Sequence, residues 1–152
     1  MVLKWIDCDG QHRINSDIVL PMRNLLRQLT DDREATDRFS IEILFAMVVR
    51  EKAHIATLWT DDGRTLVGMG TIVVRQNMLR KTAVIDDVIV DEELRGKGFG
   101  QLITKALIGR ARDLGASYID LTSRSRRTLA LSMYRALGFS KPDTNFLRLY
   151  LR

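Results

Sequence analysis

The spacing of hydrophobic residues predicts a short strand and two helices in the first third of the chain. Residues 2–6 fit a first strand, and apolar side chains then recur every three or four positions across residues 18–29 and 36–49. That interval places them on one face of a helix. Pro21 fits in the first turn of the earlier helix, where its missing N–H costs nothing.

The spacing changes at residue 53, where near-continuous apolar runs replace the helical pattern. Residues 53–60 and 65–74 form two such runs, separated by a segment that contains Asp61, Asp62 and Gly63. An Asp-Gly pair between two apolar runs indicates a β-hairpin, because glycine tolerates the positive φ angles of its turn. Residues 82–90 form a further run, so we expect three consecutive strands.

The C-terminal part of the chain alternates between helical and strand patterns. It predicts a helix at residues 99–114, a strand at 117–122, a helix at 128–137 closed by Gly138, and a last strand at 145–151. The element order is therefore β-α-α-β-β-β-α-β-α-β. Such an order predicts an α/β fold with a mixed sheet.

Composition limits the classes of protein to which the chain can belong. With 152 residues, 45% of them hydrophobic and 28% charged, we expect one globular domain over residues 1–152. The longest apolar run, residues 43–49, is far shorter than the ~20 residues of a membrane span, and the first residues lack the layout of a signal peptide. A single cysteine, Cys8, excludes an internal disulfide and offers no metal-ligand spacing. We therefore expect a soluble, cytoplasmic protein with no metal and no membrane partner.

The stretch DEELRGKGFGQ, at residues 91–101, joins a predicted strand to a predicted helix. The first amides of a helix have no acceptors within it, so glycines at its start let a diphosphate approach the backbone. A Walker loop is excluded because Gln101 and Leu102 follow Gly100, and a dinucleotide fingerprint fits poorly because five residues separate the strand from the glycines. A diphosphate site remains, with a plain flexible loop as the alternative. The net charge of +5 also favours anionic partners.

Two motifs resemble the signatures of the GNAT N-acetyltransferase superfamily. The run VIVD at residues 88–91, followed by RGKGFG at 95–100, is similar to the acetyl-CoA signature of that family. A second set of residues resembles the family's helix that ends in Tyr-x-x-x-Gly-Phe: Ala130, Tyr134, Arg135, Leu137, Gly138 and Phe139. Residues 25–30 and 85–90 are also similar to the glucosamine-phosphate acetyltransferase branch.

The resemblance implies a fold, an activity and a set of binding residues. The fold would be a GNAT-like mixed, mostly antiparallel sheet flanked by helices in a single domain. The activity would be transfer of acetyl from acetyl-CoA to a primary amine by direct attack. Main-chain groups of Val88, Ile89 and Val90 would bind the pantetheine arm and the acetyl carbonyl. The pyrophosphate would lie on Arg95, Gly96, Lys97, Gly98, Phe99, Gly100 and Gln101.

Three side chains are candidates for the chemistry of transfer. By resemblance, the Tyr134 phenol would assist the departing CoA thiolate, with packing of its ring as the alternative. A protonated amine cannot attack a thioester, and Asp86 and Asp87 are candidates to accept its proton or to anchor it. Because they are adjacent on a predicted strand, we expect them to face opposite sides of the sheet. Nothing in the sequence brings His12 or His54 to the glycines.

A basic run before the last predicted helix supports competing hypotheses. Arg127 stands where the family often has asparagine, and it would pair there with a cofactor phosphate. The whole run of Ser123, Arg124, Ser125, Arg126 and Arg127 would also suit a nucleic-acid-binding module, but it lacks interleaved aromatic residues, so we expect no nucleic-acid partner. A GNAT-like protein that binds acetyl-CoA without catalysis is a third hypothesis.

The acceptor and the oligomeric state are not specified by any motif. An aminosugar phosphate, a polyamine, an antibiotic and a protein amino group all stay open as the acceptor. Its specificity would depend on the first two helices and on residues 76–81, which carry no recognisable pattern. A homodimer is expected from the family resemblance alone.

Overall fold

The computed structural model describes residues 1–8 and 14–151. Two compact units make up the chain, and the second begins at Ser123. The first unit contains a five-stranded sheet with its flanking helices, and the second contains one helix. One domain over residues 1–152 stays a prediction. No helix within the described residues is long and apolar enough to cross a membrane.

The five strands of the sheet lie in the same order in space as in the chain. They are β1 (Val2–Ile6), β2 (Ala53–Trp59), β3 (Leu66–Gln76), β4 (Lys81–Val90) and β5 (Ile119–Leu121). Neighbouring strands are antiparallel, except that β4 and β5 are parallel. The predicted mixed, mostly antiparallel sheet is confirmed. The predicted hairpin between β2 and β3 is confirmed as well, and Gly63 in its turn has a φ of 70°.

Helices from the first 50 residues pack against one face of the sheet. They are α1 (Val19–Leu29), α2 (Arg33–Arg38) and α3 (Ile41–Phe45), with a 3-10 turn at Ser16–Ile18 and a π-helical turn at Ala46–Arg50. Hydrophobic burial holds these elements to the sheet. The buried cluster comprises Ile6, Met22, Leu25, Phe39, Leu44, Val48, Ile55, Leu66, Met69 and Ile89.

The prediction of one helix over residues 36–49 is wrong, because the chain bends between α2 and α3. Phe39 leaves the helical conformation, with a φ of −61° and a ψ of 121°. Ser40 then begins α3, since its hydroxyl accepts the N–H of Ile43 at 3.5 Å. A serine in this position supplies an acceptor that the start of a helix otherwise lacks. Apolar residues keep their helical spacing across the bend, so periodicity cannot reveal it.

Helix α4 (Phe99–Asp113) packs on the opposite face, over two glycines of β3. A Cβ atom added at Gly70 would lie 2.9 Å from both Ile103 Cγ2 and Leu107 Cδ1, and one at Gly68 would lie 2.9 Å from Ile103 Cδ1. Both α4 side chains are fully buried. Met69, between the glycines, belongs to the cluster on the α1 side, as alternation along a strand requires. The two glycines therefore allow α4 to lie close to the sheet.

Strand β4 contains a β-bulge at Asp87. The register between β3 and β4 shifts here, so that Gly70 is opposed by two residues, Asp87 and Val88. Asp87 has a φ of 53°, in the left-handed region that aspartate enters more readily than most residues. Because of the extra residue, Val88 lies on the α4 face, 3.3 Å from the Cβ position of Gly70. The regular alternation assumed for Asp86 and Asp87 is therefore interrupted at Asp87, and that the two face opposite sides of the sheet stays a prediction.

The second unit contains α5 (Thr128–Ala136). The predicted end of this helix is confirmed, since Gly138 has a φ of 94° just beyond it. The predicted last strand is wrong, because described residues 140–151 form neither helix nor strand. Large apolar side chains in this segment are 71–88% exposed: Phe146, Leu147, Leu149, Tyr150 and Leu151. Apolar residues at strand spacing form a strand only where the backbone of another strand pairs with theirs.

Candidate functional site

The glycine loop, residues 95–100, connects the end of β4 with the start of α4. Gly96 and Gly98 have φ angles of 79° and 83°, which residues with a Cβ atom rarely adopt. A Cβ added at either position would meet no described atom within 4 Å. The backbone at both glycines is therefore open to an approaching molecule.

The start of α4 offers amide donors beside this open backbone. Gly98 is the N-cap residue and provides no side-chain acceptor, and the first helical hydrogen bond runs from the Leu102 N–H to the Gly98 carbonyl at 3.0 Å. The N–H groups of Phe99, Gly100 and Gln101 precede that bond and carry the positive end of the helix dipole. Lys97 is exposed next to them. An anion such as a diphosphate fits this arrangement.

The Arg95 side chain is directed back toward the strand and α1. Its Nε donates to the Val90 carbonyl at 3.1 Å, and its Nη2 donates to Gln28 Oε1 at 3.3 Å. The two predicted cations of the loop thus differ, since Lys97 is exposed and the Arg95 guanidinium is hydrogen-bonded within the protein. The role of Gln28 as a partner of Arg95 is not predictable from the sequence, because no local pattern indicates a partner 67 positions away.

The second half of β4 has one open edge. β5 pairs with Ala83, Val84 and Ile85, and no described strand pairs with residues 86–90 on that side. Backbone groups that point toward this edge have no partner within the sheet. Val88, Ile89 and Val90, predicted to bind the pantetheine arm and the acetyl carbonyl through their main chain, all lie in this half of the strand. The Arg95 contact with Val90 brings this edge and the glycine loop together.

Both candidate carboxylates lie at the start of that open segment. Asp86 and Asp87 are exposed. Nevertheless, the protein around Asp86 desolvates its carboxylate and raises its pKa above the ordinary value. Burial likewise raises the pKa of Asp87, and the neighbouring charge of Asp86 raises it further. A carboxylate with a raised pKa accepts a proton more readily than an ordinary aspartate.

Tyr134 and Arg127 lie in the second unit. The Tyr134 side chain is buried, and its ring meets Phe139 edge to face at a centroid distance of 5.7 Å. Burial raises the pKa of the phenol, while the charge of Arg127 acts in the opposite direction. The phenol therefore keeps its proton at neutral pH and remains a donor. Arg127 begins α5 as its N-cap residue and donates its backbone N–H to the Arg124 carbonyl at 2.9 Å.

His54 belongs to a buried polar cluster elsewhere in the first unit. Its Nδ1 lies 3.5 Å from Asp7 Oδ2 and 3.4 Å from Arg110 Nη1. Arg110 also lies 3.2 Å from the Asp7 carboxylate and 4.3 Å above the Trp5 ring. These contacts join β1 and β2 to α4, so His54 has a structural role there. His12 lies outside the described residues.

Comparison with known proteins agrees with the fold. Human N-acetyltransferase 8B is 29% identical over 85 residues, which are 55% of this chain and 37% of that protein. Two solved structures show the same fold. Glucosamine-6-phosphate N-acetyltransferase from Arabidopsis thaliana has a TM-score of 0.70 at 18% identity over 99% of both chains. An acetyltransferase from Trypanosoma brucei has a TM-score of 0.75 at 20% identity over 99% of this chain and 100% of its own.

The family itself is shown by a match over most of the sequence. The model of the acetyltransferase (GNAT) family matches residues 20–139, from α1 through the Tyr-x-x-x-Gly-Phe segment. This range includes β4, the glycine loop and α4, which together form the open backbone and the amide donors. The chain belongs to the acetyltransferase (GNAT) family.

Proposed function

We propose that the protein transfers the acetyl group of acetyl-CoA to a primary amine by direct attack of the amine on the thioester. The observation that carries the proposal is the pair Gly96 and Gly98, whose open backbone leads into the uncapped start of α4. A diphosphate needs this combination of access and amide donors. The family match supports acetyl as the group that is transferred.

The donor would lie along two parts of the first unit. Its pyrophosphate would accept the N–H groups at residues 98–101, with the Lys97 charge beside it. Its pantetheine arm would hydrogen-bond with the open edge of β4 at Val88, Ile89 and Val90. Both assignments rest on backbone groups without partners in the sheet or helix, because such groups gain a hydrogen bond from a ligand without losing one. The Val90 carbonyl is the exception, since it already accepts Arg95 Nε at 3.1 Å.

Starting from the ammonium, the reaction requires two protons to leave the nitrogen and one to reach the thiolate. In our proposal Asp86 pairs with the incoming ammonium, and Asp87 accepts its proton, because burial and the Asp86 charge both raise the pKa of Asp87. The amine nitrogen then bonds to the carbonyl carbon, and the carbon–sulfur bond breaks. Tyr134 donates its proton to the departing sulfur, consistent with the raised pKa of its phenol, and the second proton of the nitrogen returns to the phenolate as the amide forms.

The experiment combines a binding assay with a turnover assay. Calorimetry measures acetyl-CoA affinity at two salt concentrations, and thiol release is followed with a panel of amines comprising glucosamine-6-phosphate, spermidine, an aminoglycoside and a lysine peptide. Binding together with amine-dependent thiol release is the expected result. Binding without release for any amine would instead indicate a non-catalytic acetyl-CoA-binding protein.

The basic run at residues 123–127 is the basis of the competing hypothesis, which is nucleic-acid binding. It forms a turn, with Arg124 and Arg126 exposed. If nucleic-acid binding were the function, affinity for an oligonucleotide would fall steeply with salt and would not respond to acetyl-CoA. That result, with no acetyl-CoA binding, would overturn the proposal.

A further inference from the structure

Gln28, at the C-terminal end of α1, makes hydrogen bonds to three residues of the segment between β4 and α4. Its Nε2 donates to Asp91 Oδ2 at 3.1 Å. Its Oε1 accepts the backbone N–H of Glu92 at 2.9 Å and the Arg95 Nη2 at 3.3 Å. One half-buried amide thus uses both its donor and its acceptor on the residues that precede the glycine loop.

Asp91 and Arg95 extend these contacts to the backbone on either side. Asp91 Oδ1 accepts the N–H of Glu93 at 3.1 Å, and its carbonyl accepts the N–H of Leu94 at 2.9 Å, which fixes the 3-10 turn Glu92–Leu94. Arg95 Nε donates to the Val90 carbonyl at 3.1 Å. Every residue from the end of β4 to Arg95 therefore either contacts Gln28 or belongs to the short turn that Asp91 caps.

The glycine loop itself has little that could hold it in place. No described atom lies within 4 Å of a Cβ position at Gly96 or Gly98, and glycine has more backbone freedom than any other residue. Its position is therefore determined at its two ends, by α4 on one side and by Arg95 on the other. Arg95 is the residue that Gln28 contacts directly.

We propose that Gln28 is a positioning residue for the glycine loop, which it holds through Asp91, Glu92 and Arg95 in the conformation that binds the diphosphate. The inference deepens the proposed function and rests on it for the identity of the ligand. It adds a residue of α1, a helix that otherwise packs on the sheet through Met22 and Leu25, to the machinery that orients the donor.

Two single variants at Gln28 and one double variant test the hydrogen bond between Gln28 and Asp91. Gln28→Glu replaces the donor with a second carboxylate beside Asp91, so the two groups repel. The double variant Gln28→Glu with Asp91→Asn exchanges donor and acceptor and restores the bond at unchanged net charge. Asparagine also keeps an acceptor for the Glu93 N–H. Gln28→Met removes all hydrogen bonds of the side chain at similar length.

Two readouts are compared for each variant: hydrogen exchange of residues 92–101, measured without ligand, and acetyl-CoA affinity by calorimetry. We expect Gln28→Met, which loses three hydrogen bonds, and Gln28→Glu, which loses one and adds a repulsive pair of carboxylates, to speed exchange of this segment and weaken affinity, each about 10-fold. The double variant should return both values to within about twofold of the wild type. Gln76→Met at the end of β3 is the matched control and should change neither.

Several outcomes would overturn the inference. Unchanged exchange and affinity in Gln28→Met would show that the loop does not depend on this side chain. Faster exchange in α4 and α5 as well would show general destabilisation, and absence of rescue in the double variant would show that the Asp91 bond is irrelevant. If the wild type does not bind acetyl-CoA, the proposed function fails, while exchange still decides whether Gln28 positions the loop.

Discussion

Gly68 and Gly70 lie beneath α4, whereas Gly96 and Gly98 lie before its first turn. A Cβ added at either of the first two glycines would come within 2.9 Å of an α4 side chain, and one added at either of the last two would meet nothing within 4 Å. The β3 glycines are needed because the protein leaves no room for a side chain. The loop glycines are needed because their φ angles are positive and their open side faces the solvent.

This contrast separates stability from binding within a few residues of the same helix. Substitutions beneath α4 should lower the free energy of unfolding and spare acetyl-CoA affinity. Substitutions before α4, or on the open half of β4, should impair binding or turnover by more than their cost in stability explains. Each prediction below can confirm or break that separation.

The largest effect is expected at Asp87, which lies opposite Gly70 in the bulge. Asp87→Asn removes the proposed proton acceptor, so kcat/KM with an active acceptor should fall about 10²- to 10⁴-fold. Asparagine tolerates a φ of 53°, so the bulge should persist. Burial raises the pKa of Asp87, so the ionised carboxylate destabilises the folded state above that pKa. Because asparagine carries no charge, the thermal midpoint of Asp87→Asn at pH 7 should equal or exceed that of the wild type. Equal kcat/KM values would exclude Asp87 as the base.

Asp86→Asn is the matched control for this prediction. It removes the neighbouring charge that helps to raise the pKa of Asp87. The acid limb of the profile of kcat/KM against pH should therefore move to lower pH. A limb that moves to higher pH would contradict the assignment of Asp87 as the group that must be ionised.

The next largest effect is expected at Gly98. Gly98→Val places a branched side chain where the diphosphate would approach, and acetyl-CoA affinity should fall about 100-fold, equivalent to about 2.7 kcal/mol. Gly98→Ala is the control. Alanine and valine both introduce left-handed strain, which costs about 1–2 kcal/mol in stability, but only valine adds bulk. Calorimetry and thermal melting of both variants distinguish the two contributions. Unchanged affinity in Gly98→Val would remove the pyrophosphate assignment.

Gly70→Ala should have the opposite signature. The new Cβ would crowd the fully buried Ile103 and Leu107, and overpacking of this kind costs about 1–3 kcal/mol in unfolding free energy. Acetyl-CoA affinity measured well below the midpoint should change far less than in Gly98→Val, because on β4 the new Cβ meets only the Val88 side chain, whereas the proposed ligand contact is with the Val88 main chain. Gly109→Ala, on an open surface of α4, should instead stabilise the protein by about 0.5–1 kcal/mol. A stable Gly70→Ala variant with weakened affinity would break the comparison.

The smallest effect is expected at Tyr134. Tyr134→Phe keeps the ring beside Phe139 and removes the phenolic proton donor. A thiol of pKa about 8.5 is already a tolerable leaving group, so kcat should fall about 10-fold or less. The thermal midpoint and acetyl-CoA affinity should hardly change. Equal kcat values would assign Tyr134 to packing, and a large drop in midpoint would contradict a role confined to chemistry.

Local pattern was sufficient for much of the fold. The first strand was predicted with the bounds that β1 has, and the hairpin and α4 are within about two residues of their predicted limits. Each of these elements follows from the spacing of apolar residues within the element itself. The bend at Ser40 and the unpaired segment at residues 145–151 were missed, because a single capping hydroxyl or a missing partner strand leaves the hydrophobic spacing unchanged.

The features of the candidate site also divide into those that local sequence indicates and those that depend on distant contacts. The glycine loop could be predicted because its residues are consecutive and glycine has a specific conformational use. The bulge at Asp87 could not, since it depends on how β3 pairs with β4. Gln28 and Gly70 act through contacts with residues far away in the sequence, and no spacing within one sequence records such contacts.

The bulge also decides which faces of the sheet the last residues of β4 occupy. Ile85 pairs with Ile72 and so shares the α4 face with Val88, although the two are three positions apart. A regular strand of the same length, with no bulge, would exchange the faces of everything after Asp86. Ile89 would then point toward α4, and Val88 would enter the cluster on the α1 side. Loss of the extra residue would instead restore alternation with both side chains on their present faces, so the bulge is what lets β4 carry Asp87 without disturbing the packing on either side of the sheet.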